Sequence, residues 1–146
     1  MNRPLLVIDT NVVLDLLHFD DAVARPLRLA LEAGRVRCVV SPTTLDELQR
    51  VLAYADFGLD AARQAVLFAR YRALSETVQT VDECAGLPLC CDPDDQKFIE
   101  LAAAVRAQGL VSKDRAVLKL CRRCAPLFRV MGPAEAVRWL NGTLNP

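Results

Sequence analysis

Asp9 closes the apolar run Leu5-Leu6-Val7-Ile8 in the stretch LLVIDTNVV. A carboxylate at the end of a buried strand is costly unless it is hydrogen-bonded or bound to something. Other acids stand at comparable places. In SPTTLDELQRVL the apolar stripe runs through Leu48, Val51, Leu52 and Ala55, with Leu45 at its margin. At roughly 100° per residue Glu47 falls about 40° from Val51, on the edge of that stripe, whereas Asp46 points away from it. In DPDDQKFIELAAAV, Asp95 shares a face with Ile99 and Ala102 at i, i+4 and i+7. Asp114 follows the short apolar run of GLVSKD. Asp9, Asp95 and Asp114 each have a plain reading as a helix cap or a first-turn acid favoured by the helix dipole, as does Asp92 ahead of Pro93. Brought together, Asp9, Glu47, Asp95 and Asp114 have another reading. Two bare carboxylates 4 Å apart repel by about 4 kcal/mol at an effective dielectric of 20, so a cluster must take up protons or a cation. Oxygen-only ligands suit a hard ion, Mg2+ or Mn2+, and such an ion serves phosphate chemistry by activating water and neutralising charge. No other nucleophile competes, since there is no GxSxG elbow and the single histidine, His18, ends an apolar helical stretch.

The elements that must position these acids alternate short apolar runs with longer amphipathic ones. Strands are expected at 5–8, 37–40, 77–81, 109–111 and 127–130, and helices at about 11–18, 21–33, 42–55, 60–74, 93–107, 115–122 and 133–140. Ser41-Pro42, Asp92-Pro93 and Gly132-Pro133 mark three helix starts by placing proline near the first helical position. Near-continuous apolar strands alternating with helices imply a parallel sheet covered on both faces. Such sheets bind ligands at the carboxyl ends of their strands, and acids follow the first, second and fourth expected strands. The most loop-like break, AYADFGLDAA at 53–62, joins two helices within one domain expected to span residues 1–146.

The composition is 53% hydrophobic over 146 residues, which excludes a disordered chain, and 18 acids balance 18 bases. Contact with nucleic acid then requires a local patch rather than a global field. Lys113, Arg115, Lys119, Arg122 and Arg123 could form one, or equally a solvated face with ion pairs. No run is long enough for a signal peptide or a membrane span, so a cytoplasmic protein is expected. The six cysteines are then thiols, and Cys90-Cys91 with CRRC at 121–124 could in principle form a zinc site, though the two pairs taken together lack ordinary ligand spacing.

VIDTNVVLDLL, VSPTTLDELQRVL, DPDDQKFIELA and GLVSKDRAVLKL resemble, in order and spacing, the four acidic motifs of PIN-domain nucleases. The resemblance spans about residues 4–140 and is nearest to the VapC-like branch of toxin components of toxin–antitoxin systems. It implies a three-layer α/β/α sandwich with a parallel sheet and an Mg2+- or Mn2+-dependent ribonuclease. It places the family's acids on Asp9, Glu47, Asp95 and Asp114, with Asp92 an additional acid that shares the third motif. Asn11 matches the polar residue of the first motif, and Ser112 stands where threonine is usual, keeping the hydroxyl. The resemblance also implies an RNA substrate, a small antitoxin partner and a homodimer. The competing reading is a non-catalytic module that acts through a protein or RNA partner, and the complete acid set argues against it. A haloacid-dehalogenase phosphatase would want Asp where Asn11 stands, and a phospho-receiver would want an acidic pair where the chain has Asp9-Thr10.

Overall fold

The computed structural model describes residues 3–144. Met1, Asn2, Asn145 and Pro146, which belong to the expected 1–146 domain, lie outside the described residues. The chain runs β1 (Leu5–Ile8), α1 (Thr10–Leu17), α2 (Arg25–Glu32), β2 (Arg37–Val40), α3 (Pro42–Leu52), a 3-10 turn (Ala55–Phe57), α4 (Ala61–Leu74) and β3 (Ser75–Thr77). A second 3-10 turn (Pro93–Asp95) leads into α5 (Gln96–Ala104), followed by β4 (Gly109–Val111), α6 (Arg115–Leu118), α7 (Cys121–Cys124), β5 (Arg129–Met131) and α8 (Pro133–Leu144).

All the strand pairings are parallel and the order is β3-β2-β1-β4-β5. The chain therefore winds outward from β1 through β2 to β3, then restarts at β4 on the other side of β1. The crevice at the carboxyl ends of β1 and β4 is the switch point, where open α/β sheets bind their ligands. Strand alternation divides the core. Leu6, Ile8, Cys38, Val40, Val111 and Met131 face a layer built from α1 to α4 and α8. Val7, Val39, Leu110 and Val130 face Phe98, Ile99, Leu101 and Ala102 of α5 together with Val117, Leu120 and Cys124 of α6 and α7. This is a three-layer α/β/α sandwich with a parallel sheet.

Local sequence accounts for the boundaries. At the start of α3 the Ser41 and Thr44 side chains reciprocally cap each other's backbone N–H groups. Asp60 accepts the Arg63 N–H at 2.7 Å to open α4. Helix α5 ends where Arg106 turns left-handed (φ 56°) and the Ala107 N–H reaches back to the Ala102 carbonyl at 3.0 Å.

Several elements differ from the pattern expected of the sequence. The third strand occupies Ser75–Thr77 rather than 77–81, because Cys38 of β2 pairs with Ser75 directly after α4 and β2 ends at Val40. Helix 42–55 stops at Leu52, which leaves Ala55 exposed rather than in the apolar stripe. Stretch 93–107 starts as a 3-10 turn, stretch 115–122 breaks into α6 and α7, and the fifth strand moves to Arg129–Met131, with Leu127 exposed. Among the described residues no helix is long and apolar enough to cross a membrane.

Phe98 is 1% exposed and bears on the sheet face opposite α1. Phe98→Ala is expected to destabilise the fold by about 3–5 kcal/mol, read from the midpoint of a urea titration. A loss below about 1 kcal/mol would show that the α5 layer does not anchor the sheet.

Candidate metal centre

Asp9 continues β1 by one residue, its N–H bonding to the Val111 carbonyl of β4 at 2.8 Å. It takes the N-cap position of α1, yet its side chain makes no capping bond. Oδ2 instead accepts the Ser112 hydroxyl at 2.7 Å, and Ser112 Oγ accepts the Asp114 N–H at 3.0 Å. One fully buried hydroxyl thus ties the loop after β4 to the carboxylate after β1. Asn11 completes the link, its Oδ1 accepting the Lys113 N–H at 3.3 Å.

The acids from 92 to 114 form the tightest cluster. Asp92, Asp95 and Asp114 each present a carboxylate oxygen within 4.8 Å of the others. Asp92 and Asp114 also cap, accepting the N–H groups of Asp94 at 3.0 Å and Ala116 at 2.9 Å. Capping and clustering therefore coexist, because each carboxylate has a second oxygen to offer. Asp95 differs from its neighbours. It is buried, and its Oδ2 is enclosed without a hydrogen-bond partner.

Burial pushes Asp9 up to about 6, opposed by the Ser112 hydrogen bond and reinforced by the charges of Glu47 and Asp114. Asp95 is raised by burial first, then by the adjacent Asp114 carboxyl and by the charges of Asp9 and Asp92. A divalent ion answers both the orphaned oxygen and the mutual repulsion, and a donor set made only of oxygen fits a hard cation.

Glu47 is half-buried at the margin of the cluster while Asp46 is exposed, as the helical phase predicts. The Thr10 hydroxyl donates to Glu47 Oε2, and Lys97 Nζ lies 2.8 Å from Oε1. Of the basic residues, Lys113 pairs with the buried Asp15 at 2.8 Å, whereas Arg115, Lys119, Arg122 and Arg123 are exposed. The three residues missed from sequence are Asp15, Thr10 and Lys97. Asp15 had a signal, as an acid inside the run Val12–Leu17 that leaves α1 no polar face. Thr10 and Lys97 act across elements and had none. All six cysteines are free thiols, and among the described residues no cysteine joins a metal-binding group.

A parallel sheet with carboxylates gathered at its switch point defines an α/β domain with an acidic cluster able to hold a hard cation. The chain belongs to the PIN-domain family, whose model matches residues 5–116, and members of that family are generally nucleases. Among solved structures it is similar to a chain of VapBC2 from Rickettsia felis, a crystal structure bound to a DNA fragment from their promoter. The TM-score is 0.62 at 16% identity, over 88% of this chain and 98% of that one. No curated protein matches the sequence.

A carboxyl raised from 3.8 to about 6 on folding binds its proton more readily in the native state. Its contribution to stability is full below the unfolded value and is lost as pH rises through the folded one, by on the order of 3 kcal/mol. In EDTA, Asp9→Asn is expected to lose less melting temperature than wild type between about pH 4 and pH 7. Millimolar Mn2+ is expected to remove the difference at neutral pH. Parallel pH profiles for the two proteins would contradict this.

Proposed function

We propose that the chain, as a single domain over residues 1–146, is an Mg2+- or Mn2+-dependent endoribonuclease and the toxin of a toxin–antitoxin pair. The observation that carries the reading is the buried, partnerless Asp95 oxygen inside an all-carboxylate cluster at the switch point of a PIN domain. Asp92, Asp95 and Asp114 would hold the ion, with Asp9 and Glu47 as the further acids beside that close group. The bound ion supplies a Lewis acid that neutralises charge on the phosphodiester and makes water a competent nucleophile at neutral pH.

The chain's own groups do the rest. Ser112 fixes Asp9 and the loop carrying Asp114, and Asn11 fixes the Lys113 backbone beside it. A divalent cation beside Asp9 and Asp95 favours their ionised, ligating form over the protonated form that burial favours. Arg115, Lys119, Arg122 and Arg123, exposed just beyond Asp114, are placed to meet the RNA backbone. Attack by water opposite the 3′-oxygen, the course that the family resemblance implies, breaks the P–O3′ bond and leaves a 5′-phosphate and a 3′-hydroxyl.

Likeness to the VapBC2 chain supports an antitoxin partner, and a homodimer and a cytoplasmic location belong to the proposal on the family resemblance alone. Asp95→Asn is expected to fold normally and to lose at least about a hundredfold in Mn2+-dependent cleavage of structured RNAs, followed by mapping new 5′ ends. Cleavage at the wild-type rate would refute the site. Binding of RNA without cleavage by wild type, across several metals, would identify a binding module instead.

A further inference from the structure

Lys97 approaches the carboxylates from the first turn of α5, two residues after Asp95. Its Nζ lies 2.8 Å from Glu47 Oε1, with the two side chains only 16% and 15% exposed. The same ammonium donates to the Asp94 carbonyl and lies 5.4 Å from the centre of the Phe98 ring. The remaining Glu47 oxygen accepts the Thr10 hydroxyl. Both oxygens of Glu47 are thus engaged by the protein, in contrast to the partnerless Asp95 Oδ2. Glu47 is also outside the close group formed by Asp92, Asp95 and Asp114.

We infer that Lys97 is a positioning residue that keeps Glu47 as an ion pair beside the cation site instead of a ligand within it. The inference rests on the metal-dependent reading above and deepens it. An enclosed Lys–Glu pair is held in one geometry by the cross-links to Asp94 and Thr10, unlike a solvated surface pair. Held there, Glu47 leaves a coordination position open for water and the substrate phosphate, and the ion is bound less tightly than five unpaired acids would bind it. Without the ammonium, Glu47 turns to the strongest remaining positive charge, the ion. The ion is then held harder and its open position is filled.

Calorimetric titration with Mn2+, run beside RNA cleavage at saturating Mn2+, tests this with Lys97→Met, Lys97→Arg, Glu47→Gln and the double variant Glu47→Gln/Lys97→Met. Lys97→Met is expected to bind Mn2+ about tenfold tighter and to cleave at least about tenfold slower, with Lys97→Arg near wild type in both. In the Glu47→Gln background the same Lys97→Met change is expected to shift Mn2+ affinity by less than about threefold. Unchanged or weaker Mn2+ binding by Lys97→Met overturns the inference. So does equal tightening in both backgrounds, which would mean that the ammonium acts on the ion by charge alone. Should Lys97→Met fail to fold, Lys97→Gln replaces it in the same comparison. The expected affinities without RNA cleavage by any form would remove the nuclease and leave the role of Lys97 standing. Cleavage by wild type with none of these affinity changes would do the reverse.

Discussion

Mutual repulsion among carboxylates at the carboxyl edge of β1 and β4 is the constraint on which the rest of the structure turns. The sheet order puts these two strands side by side although about a hundred residues separate them, and an acid follows each, Asp9 directly after β1 and Asp114 three residues after β4. Burial alone would keep Asp9 and Asp95 protonated in part. The fold holds them together because the surrounding layers are apolar and well anchored, so the local cost is carried by the two cores rather than relieved by loosening the site.

That constraint explains the small polar devices around the cluster. Ser112 Oγ both donates to Asp9 and accepts the Asp114 N–H, which fixes two acids with one hydroxyl. Replacement of the threonine usual in related motifs by serine loses nothing in this geometry, since only the hydroxyl is used. Capping plays a second part. By accepting backbone N–H groups, Asp92 and Asp114 are held in fixed orientation beside Asp95. The helix-cap reading and the metal reading of these acids therefore do not compete.

How much of this was legible depended on whether a signal lay within one element. Asp9 stood out because four apolar residues precede it, and Glu47 could be separated from Asp46 by helical phase alone. Parallel topology and both layers followed from the alternation of strands and helices. The third strand was misplaced because TVQTV is rich in β-branched residues, while the actual pairing is set by where α4 delivers the chain to β2. Ala55 was misplaced because a helical stripe cannot announce that its helix has already ended. Partnerships between distant elements, such as Thr10 with Glu47 and Lys97 with Glu47, leave no local pattern, since neither member is unusual in its own neighbourhood.

The disposition of basic residues follows the same logic. The chain carries as many bases as acids, but charge balance over the whole molecule says little about the field at one edge of a sheet. Here the nearest ammonium groups are turned onto particular acids, Lys97 onto Glu47 and Lys113 onto the buried Asp15. On the proposed reading neither is free to neutralise the cluster of Asp92, Asp95 and Asp114, which draws in a cation before a polyanion can approach. A nucleic-acid strand must then be attracted from outside that cluster. The exposed run Arg115, Lys119, Arg122 and Arg123 begins one residue past Asp114, so it can hold the backbone while the cation screens the acids from the phosphate to be cut. On the proposed reading the ion is thus needed twice, for the chemistry and for the approach of a substrate that the bare site would repel.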